Sequence, residues 1–162
     1  MYNGNIAETY WRTSSDNILR KYEYAYDDLD RLLGAYFRIP GTTVQGSYDE
    51  YLSYDSNGNI LTLQRYGERE DATLTMLIDD LNYGYDIGNK LLNVTDDEAH
   101  PSGFNDGNIH TQTNLPDFVY DAAGNLIRDR NKKITAITYN HLNQPKKLTF
   151  DTGEITYLYP VK

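Results

Sequence analysis

Catalysis and metal binding need imidazoles, carboxylates or hydroxyls that converge on one point, and this chain offers few that can. Its three histidines, His100, His110 and His141, are scattered, and none stands at the spacing that places two ligands on one face of an element. They are expected to be solvated surface residues. Asp79-Asp80 and Asp96-Asp97-Glu98 are carboxylate runs, and a glycosidase needs two such groups facing a sugar across a cleft. Neighbours on a strand point to opposite faces, so both runs are expected to be solvated charge clusters. Asp55-Ser56-Asn57-Gly58-Asn59 has the composition of a calcium loop but neither the EF-hand order nor its closing Glu. Ser, His and Asp are all present, without a Gly-x-Ser-x-Gly elbow to present a nucleophile. Asn93-Val94-Thr95 is a glycosylation sequon by pattern alone. No catalytic, cofactor-binding or metal-binding residue is assigned, and the chain is expected not to be an enzyme.

Composition narrows the class. A formal charge of −9 and a pI near 4.7 oppose phosphate backbones, and no basic cluster longer than Asn131-Lys132-Lys133 offsets them. Nucleic acid is therefore not an expected partner. Cysteine is absent, which removes disulfides, thiol nucleophiles and Cys-ligated zinc. No apolar run is long enough to span a bilayer, and Met1 to Asn5 has no export-signal pattern. The 16 tyrosines against 4 phenylalanines and 1 tryptophan favour half-buried pleated surfaces, where a ring packs while its hydroxyl stays wet. With abundant Gly, Asn and Asp punctuation and few helix-favouring runs, the expectation is an all-β chain of 162 residues forming a single domain or segment.

A repeat organises the chain. Tyr26-Asp27-Asp28-Leu29-Asp30-Arg31-Leu32 aligns with Tyr54-Asp55-Ser56-Asn57-Gly58-Asn59-Ile60 and Tyr120-Asp121-Ala122-Ala123-Gly124-Asn125-Leu126. Weaker copies are Tyr85-Asp86-Ile87-Gly88-Asn89-Lys90-Leu91 and Tyr139-Asn140-His141-Leu142-Asn143-Gln144-Pro145, and Gly4-Asn5-Ile6 reads as the tail of another within 1–6. Before one such turn, Tyr22, Tyr24 and Tyr26 alternate with Lys21, Glu23 and Ala25, the period of a strand with one packed face. Each motif then predicts a hairpin: the Asp accepts backbone N–H bonds across a type I turn, and the fifth residue takes a left-handed conformation with a G1 bulge. Only Gly4, Asp30, Gly58, Asn89, Gly124 and Asn143 occupy that fifth slot, and Gly, Asn and Asp are the types that enter it most cheaply. The motif tyrosines, with Tyr159 as the last, are 28, 31, 35, 19 and 20 residues apart, which suits a unit near 20 with insertions. The longest insertion, 96–117, predicts a surface loop, and Glu70 to Asp80 predicts a loop with at most one helical turn from the spacing of Leu74, Leu77, Ile78 and Leu81.

These residues resemble the Rhs/YD-repeat family, whose unit is Tyr-Asp followed by x-x-Gly-Asn/Arg-Leu, over nearly the whole chain. Tyr2-Asn3-Gly4-Asn5-Ile6, Tyr26 to Leu32, Gly103-Phe104-Asn105-Asp106-Gly107 and Tyr139-Asn140-His141-Leu142-Asn143 are particularly similar to Rhs-repeat proteins of the Bacteroidetes group. The resemblance implies successive antiparallel hairpins in a curved sheet, part of the wall of a hollow shell that in bacterial relatives encloses a toxin and in animal teneurins serves adhesion. It also implies a secreted or cell-envelope location. The family's self-cleaving end plug has no counterpart here, and Tyr159-Pro160 stands where Tyr-Asp would.

The expected function is thus a non-catalytic structural segment. Its expected partners are the remainder of a larger Rhs-type protein or another copy, met through edge strands, and a toxin cargo. The alternative is a carbohydrate- or protein-binding surface module that uses exposed tyrosine faces or the 96–117 loop. The half-repeats at Gly4-Asn5-Ile6 and Tyr157-Leu158-Tyr159 are expected to fray or self-associate.

Overall fold

Strand-favouring tyrosine runs punctuated by left-handed turn residues produce twelve strands and no helix in the computed structural model, among its described residues 4–67, 69–70, 75–106 and 115–160. The strands are β1 (Glu8–Trp11), β2 (Arg20–Tyr26), β3 (Leu32–Arg38), β4 (Glu50–Tyr54), β5 (Ile60–Tyr66), β6 (Leu77–Tyr85), β7 (Leu91–Asp96), β8 (Phe118–Tyr120), β9 (Leu126–Asp129), β10 (Ile134–Tyr139), β11 (Pro145–Phe150) and β12 (Gly153–Thr156). The fold is all-β. Strands β1 to β7 make one sheet in chain order, and β8 to β12 make a second, also in chain order, so each strand pairs with its neighbour in sequence. Such local pairing keeps loop-closure cost low.

The chain divides into two compact units, Met1–Asn82 with Asp96–Phe104, and Tyr83–Thr95 with Asn105–Lys162. In the first, the core is Ala35, Phe37, Ile39, Ile78 and Leu81, with Phe37 only 2% exposed. Phe37 meets the rings of Trp11, Tyr22 and Tyr48 at 6.1, 5.8 and 5.1 Å, tilted or edge-on, the arrangement that ring quadrupoles favour. Its chain neighbour Tyr36 points to the other face, edge-on to Tyr51 at 5.7 Å, and Tyr51 in turn meets Tyr66 at 6.1 Å. In the second unit Val94, Ile134 and Ile137 are the buried apolar side chains.

Strand β2 departs from the expected alternation, since all seven of its residues are half-buried. The Lys21-Glu23 ion pair (2.5 Å) and Tyr10, over whose ring Lys21 lies at 5.8 Å, cover the face opposite the tyrosines. A second departure recurs at four motif hairpins, where the register shifts just before the tyrosine, at Tyr26, Tyr54, Tyr120 and Tyr139. The partner strand supplies the extra residue, respectively Leu33, Leu61, Ile127 and Lys146. Each is a bulge in addition to the left-handed turn residue.

The loop expected from Glu70 to Asp80 ends early: Leu77, Ile78 and Leu81 lie in β6, and Leu74 is outside the described residues. The physical reason is another bulge. Arg65 pairs with Asp79 and Tyr66 with Leu77, leaving Ile78 as the extra residue. The alternation resets there, so Ile78, Asp79 and Leu81 are all buried and imitate a three-and-four spacing.

Of the long insertion, 97–104 packs back against β6. A Cβ on Gly103 would lie 1.9 Å from the Ile78 carbonyl oxygen and 2.7 Å from Asp79 Oδ1. Gly103→Ala should therefore lower stability in urea melts by about 1 to 3 kcal/mol, because backbone must move. Gly153→Ala, whose Cβ would meet nothing within 4 Å, should be close to neutral in the same measurement.

Candidate functional site

The motif residues build one local structure five times. Asp27 Oδ1 accepts the N–H groups of Leu29 and Arg31, both at 2.9 Å. Asp55 Oδ1 accepts those of Asn57 (2.9 Å) and Asn59 (2.8 Å), Asp86 Oδ1 those of Gly88 and Lys90 (both 2.8 Å), and Asp121 Oδ1 those of Ala123 (2.9 Å) and Asn125 (2.8 Å). In the fifth copy Asn140 Oδ1 does the same for Leu142 (2.9 Å) and Gln144 (3.0 Å). The backbone closes identically, with the N–H of Asp30, Gly58, Asn89, Gly124 and Asn143 donating to the carbonyl of the Asp or Asn three residues earlier. Those five residues have φ of 62°, 91°, 63°, 86° and 57°, and Gly4 has 91°. The expected type I turn with a left-handed closing residue is the observed one.

Charge adds to geometry. Hydrogen bonds hold three of these carboxyls below the usual carboxylate range, led by the Asn59 and Asn125 side chains for Asp55 and Asp121, and by the Arg31 backbone N–H for Asp27. A depressed folded-state pKa stabilises above the ordinary carboxylate range and loses that contribution as pH falls through the lowered value.

Two kinds of contact then join one hairpin to the next, and neither was expected from sequence. The motif tyrosine donates its hydroxyl to the carbonyl of the second residue after the preceding left-handed slot. Tyr26 reaches Ile6 (3.0 Å), Tyr54 reaches Leu32 (2.8 Å), Tyr120 reaches Leu91 (2.9 Å), Tyr139 reaches Leu126 (2.6 Å) and Tyr159 reaches Pro145 (2.7 Å). Tyr159 thus fills the tyrosine role although Pro160 follows it in place of Asp. The residue after the left-handed slot reaches the following turn: Asn5 Nδ2 to Asp30 Oδ1 (2.9 Å), Arg31 Nη1 to the Asp55 carbonyl (2.9 Å) and Asn125 Nδ2 to Asn143 Oδ1 (3.4 Å). The signal was the side-chain type at that slot, where Asn5, Arg31, Asn59, Lys90, Asn125 and Gln144 all carry N–H donors.

The acidic runs need correction. Asp79 is 1% exposed and Asp96 8%, so neither belongs to a solvated cluster, whereas Asp97 and Glu98 are exposed as expected. Asp79 is paired, its Oδ2 taking Arg65 Nε and its Oδ1 the Phe104 N–H. Asp96 Oδ1 accepts the N–H groups of Asp80 (2.9 Å) and Glu98 (3.2 Å). Three further buried aspartates were missed: Asp129, whose Oδ1 accepts the Lys132 N–H at 3.0 Å, Asp49 and Asp117. Asp49 Oδ1 accepts the Phe37 N–H at 2.7 Å and Asp117 Oδ2 the Val94 N–H at 2.9 Å, while their own carbonyls accept from Tyr66 and Arg130, both at 2.9 Å. Each precedes a strand and caps the end of a hairpin opposite its motif turn. His100 is half-buried rather than solvated, with Nδ1 accepting the Ser102 N–H at 3.2 Å. His141 is exposed, and His110 lies outside the described residues.

One concave surface in the first unit is lined by aromatic and charged side chains. A groove of about 620 Å³ is walled by Tyr22, Tyr48, Glu50, Arg65, Tyr66 and Ile78. A second concavity of about 450 Å³ shares Tyr22 and Tyr48 and adds Trp11, Phe37 and an Arg20 guanidinium paired with Asp16 (2.7 Å) and Glu70. Burial, with the nearby Glu50 charge second, pushes the Tyr22 hydroxyl up to about 12. It stays protonated at neutral pH and donates to the Tyr48 carbonyl at 3.0 Å.

Compared with family models the chain matches none, and it matches no curated protein.

The turn generates two predictions. Gly124→Val should cost roughly 1 to 2 kcal/mol in urea melts and Ala123→Val little, since a Cβ at Gly124 meets nothing within 4 Å and the penalty is purely conformational. Asp121→Asn should fold as the Asn140 copy does, yet lose less stability than the parent between about pH 7 and about pH 3, because one depressed carboxyl has been removed.

Proposed function

We propose that this chain is a non-catalytic structural repeat segment, a length of wall of an Rhs/YD-type shell of the kind that encloses a secreted toxin or effector cargo. The observation that supports this reading is the stitching of successive hairpins. Motif Asp and Asn oxygens are spent on their own turns, and the hydroxyls of Tyr26, Tyr54, Tyr120, Tyr139 and Tyr159 are spent on backbone carbonyls of the preceding repeat. Side chains engaged in this way hold a sheet together and leave little for substrate chemistry. Further hairpins of a larger protein, or another copy, would meet the segment through edge strands such as β1 and β12, and the working location is outside the cytoplasm or on the envelope.

The groove of Tyr22, Tyr48 and Tyr66 favours a second reading, a carbohydrate- or protein-binding surface module. A glycan array, probed with the purified chain and with Glu50→Gln and Tyr22→Ala variants, separates the two. The structural reading expects no specific glycan signal, and it expects Tyr139→Phe to cost about 1 kcal/mol by stranding the Leu126 carbonyl. Specific binding that both groove variants abolish would replace it with the binding module.

A further inference from the structure

We infer that the concave surface formed by Arg128, Arg130 and Lys133 in the second unit binds a tetrahedral oxyanion, a phosphate or sulfate group carried on a small molecule. The argument starts from where charge is cancelled and where it is not. In the first unit Arg12 donates to the Asn17 carbonyl at 3.2 Å, but Arg20, Arg31, Arg38 and Arg65 each face a carboxylate, at 2.7, 2.6, 3.2 and 2.5 Å. In the second unit Arg128 and Arg130 have carbonyl partners instead, Arg128 Nε donating to Thr135 O at 3.2 Å and Arg130 Nη1 to Pro116 O. A carbonyl orients a guanidinium without neutralising it. Each fork is thereby held with N–H groups to spare, in a chain whose net charge is −9.

Lys133 joins them through the backbone. Its φ is 56°, and its N–H donates to the Arg130 carbonyl at 3.0 Å, so a single tight turn carries both cations. The adjacent Lys132 is different, since its ammonium lies 3.7 Å from Asp129. Among the described residues none of Arg128, Arg130 and Lys133 forms an ion pair, and Asp151 is the only carboxylate in the lining. The concavity is about 450 Å³, floored by Ile134 and Thr135, which leaves room for the carrier beside the charged group. Arginine forks match the edges of such oxyanions two N–H groups at a time, and pre-positioning reduces the ordering cost of binding. The surrounding negative charge disfavours a long polyanion, which would extend past three cations into repulsion, and so selects an isolated monoester group.

The test is thermal unfolding of the full chain with inorganic phosphate or sulfate, against chloride at matched ionic strength, with affinity measured by calorimetry. Phosphate and sulfate should raise Tm where chloride does not. Asp151→Asn should tighten binding about threefold by removing the opposing charge, a gain that no loss of folding can imitate. Arg128→Gln together with Lys133→Gly, which keeps the left-handed residue unstrained, should weaken it about tenfold. An absent oxyanion effect, or one unchanged in these variants, overturns the proposal. So does concentration-dependent self-association that phosphate disrupts, which would assign the surface to the acidic face of a second copy.

Discussion

One side-chain oxygen accepting two backbone N–H groups is the interaction from which this architecture is built. In each motif turn the Asp or Asn oxygen takes the N–H groups two and four residues ahead, which leaves the residue between them in the left-handed region. That fixes the hairpin register, and register decides which side chains face which side of the sheet. A carboxylate is not required, since Asn140 does the same work, but three of the aspartates gain further from carrying charge there.

From a fixed register the inter-hairpin contacts follow. The bulged residues Leu33, Ile127 and Lys146 each stand next to a carbonyl that accepts the following motif tyrosine. A bulge disrupts ladder pairing locally, and a backbone acceptor left by it must find another donor. The tyrosine hydroxyl is that donor, which accounts for a motif that prefers Tyr to Phe. At the other end of the hairpins Asp49 and Asp117 satisfy backbone N–H groups and repeat the logic of the turn in a drier setting.

The parts legible from sequence were those in which one residue type answers one local demand. The left-handed slot admits few residues, so Asp30, Asn89 and Asn143 betrayed their turns even where Gly was missing. What stayed hidden depends on partners distant in sequence. Nothing in Asp79-Asp80 says that Arg65 and Phe104 will converge on the first carboxylate and leave the second half-buried. The bulge at Ile78 is equally silent, because an extra residue in a strand looks like a change of period. The aromatic groove falls between, since its tyrosines were counted while their convergence depends on how strands far apart in the chain are paired.

Asp49 and Asp117 do the same job behind connections of very different length: ten residues separate β3 from Asp49, and twenty separate β7 from Asp117. The capping aspartate immediately precedes the strand it serves, so the same closure is made after a short connection and a long one, even though parts of both connections pack on the sheet, Tyr48 against Phe37 and Gly103 against Ile78. This end of the two hairpins therefore accommodates connections of different length with the same backbone closure, the aspartate carbonyl accepting the N–H of Tyr66 in one and of Arg130 in the other.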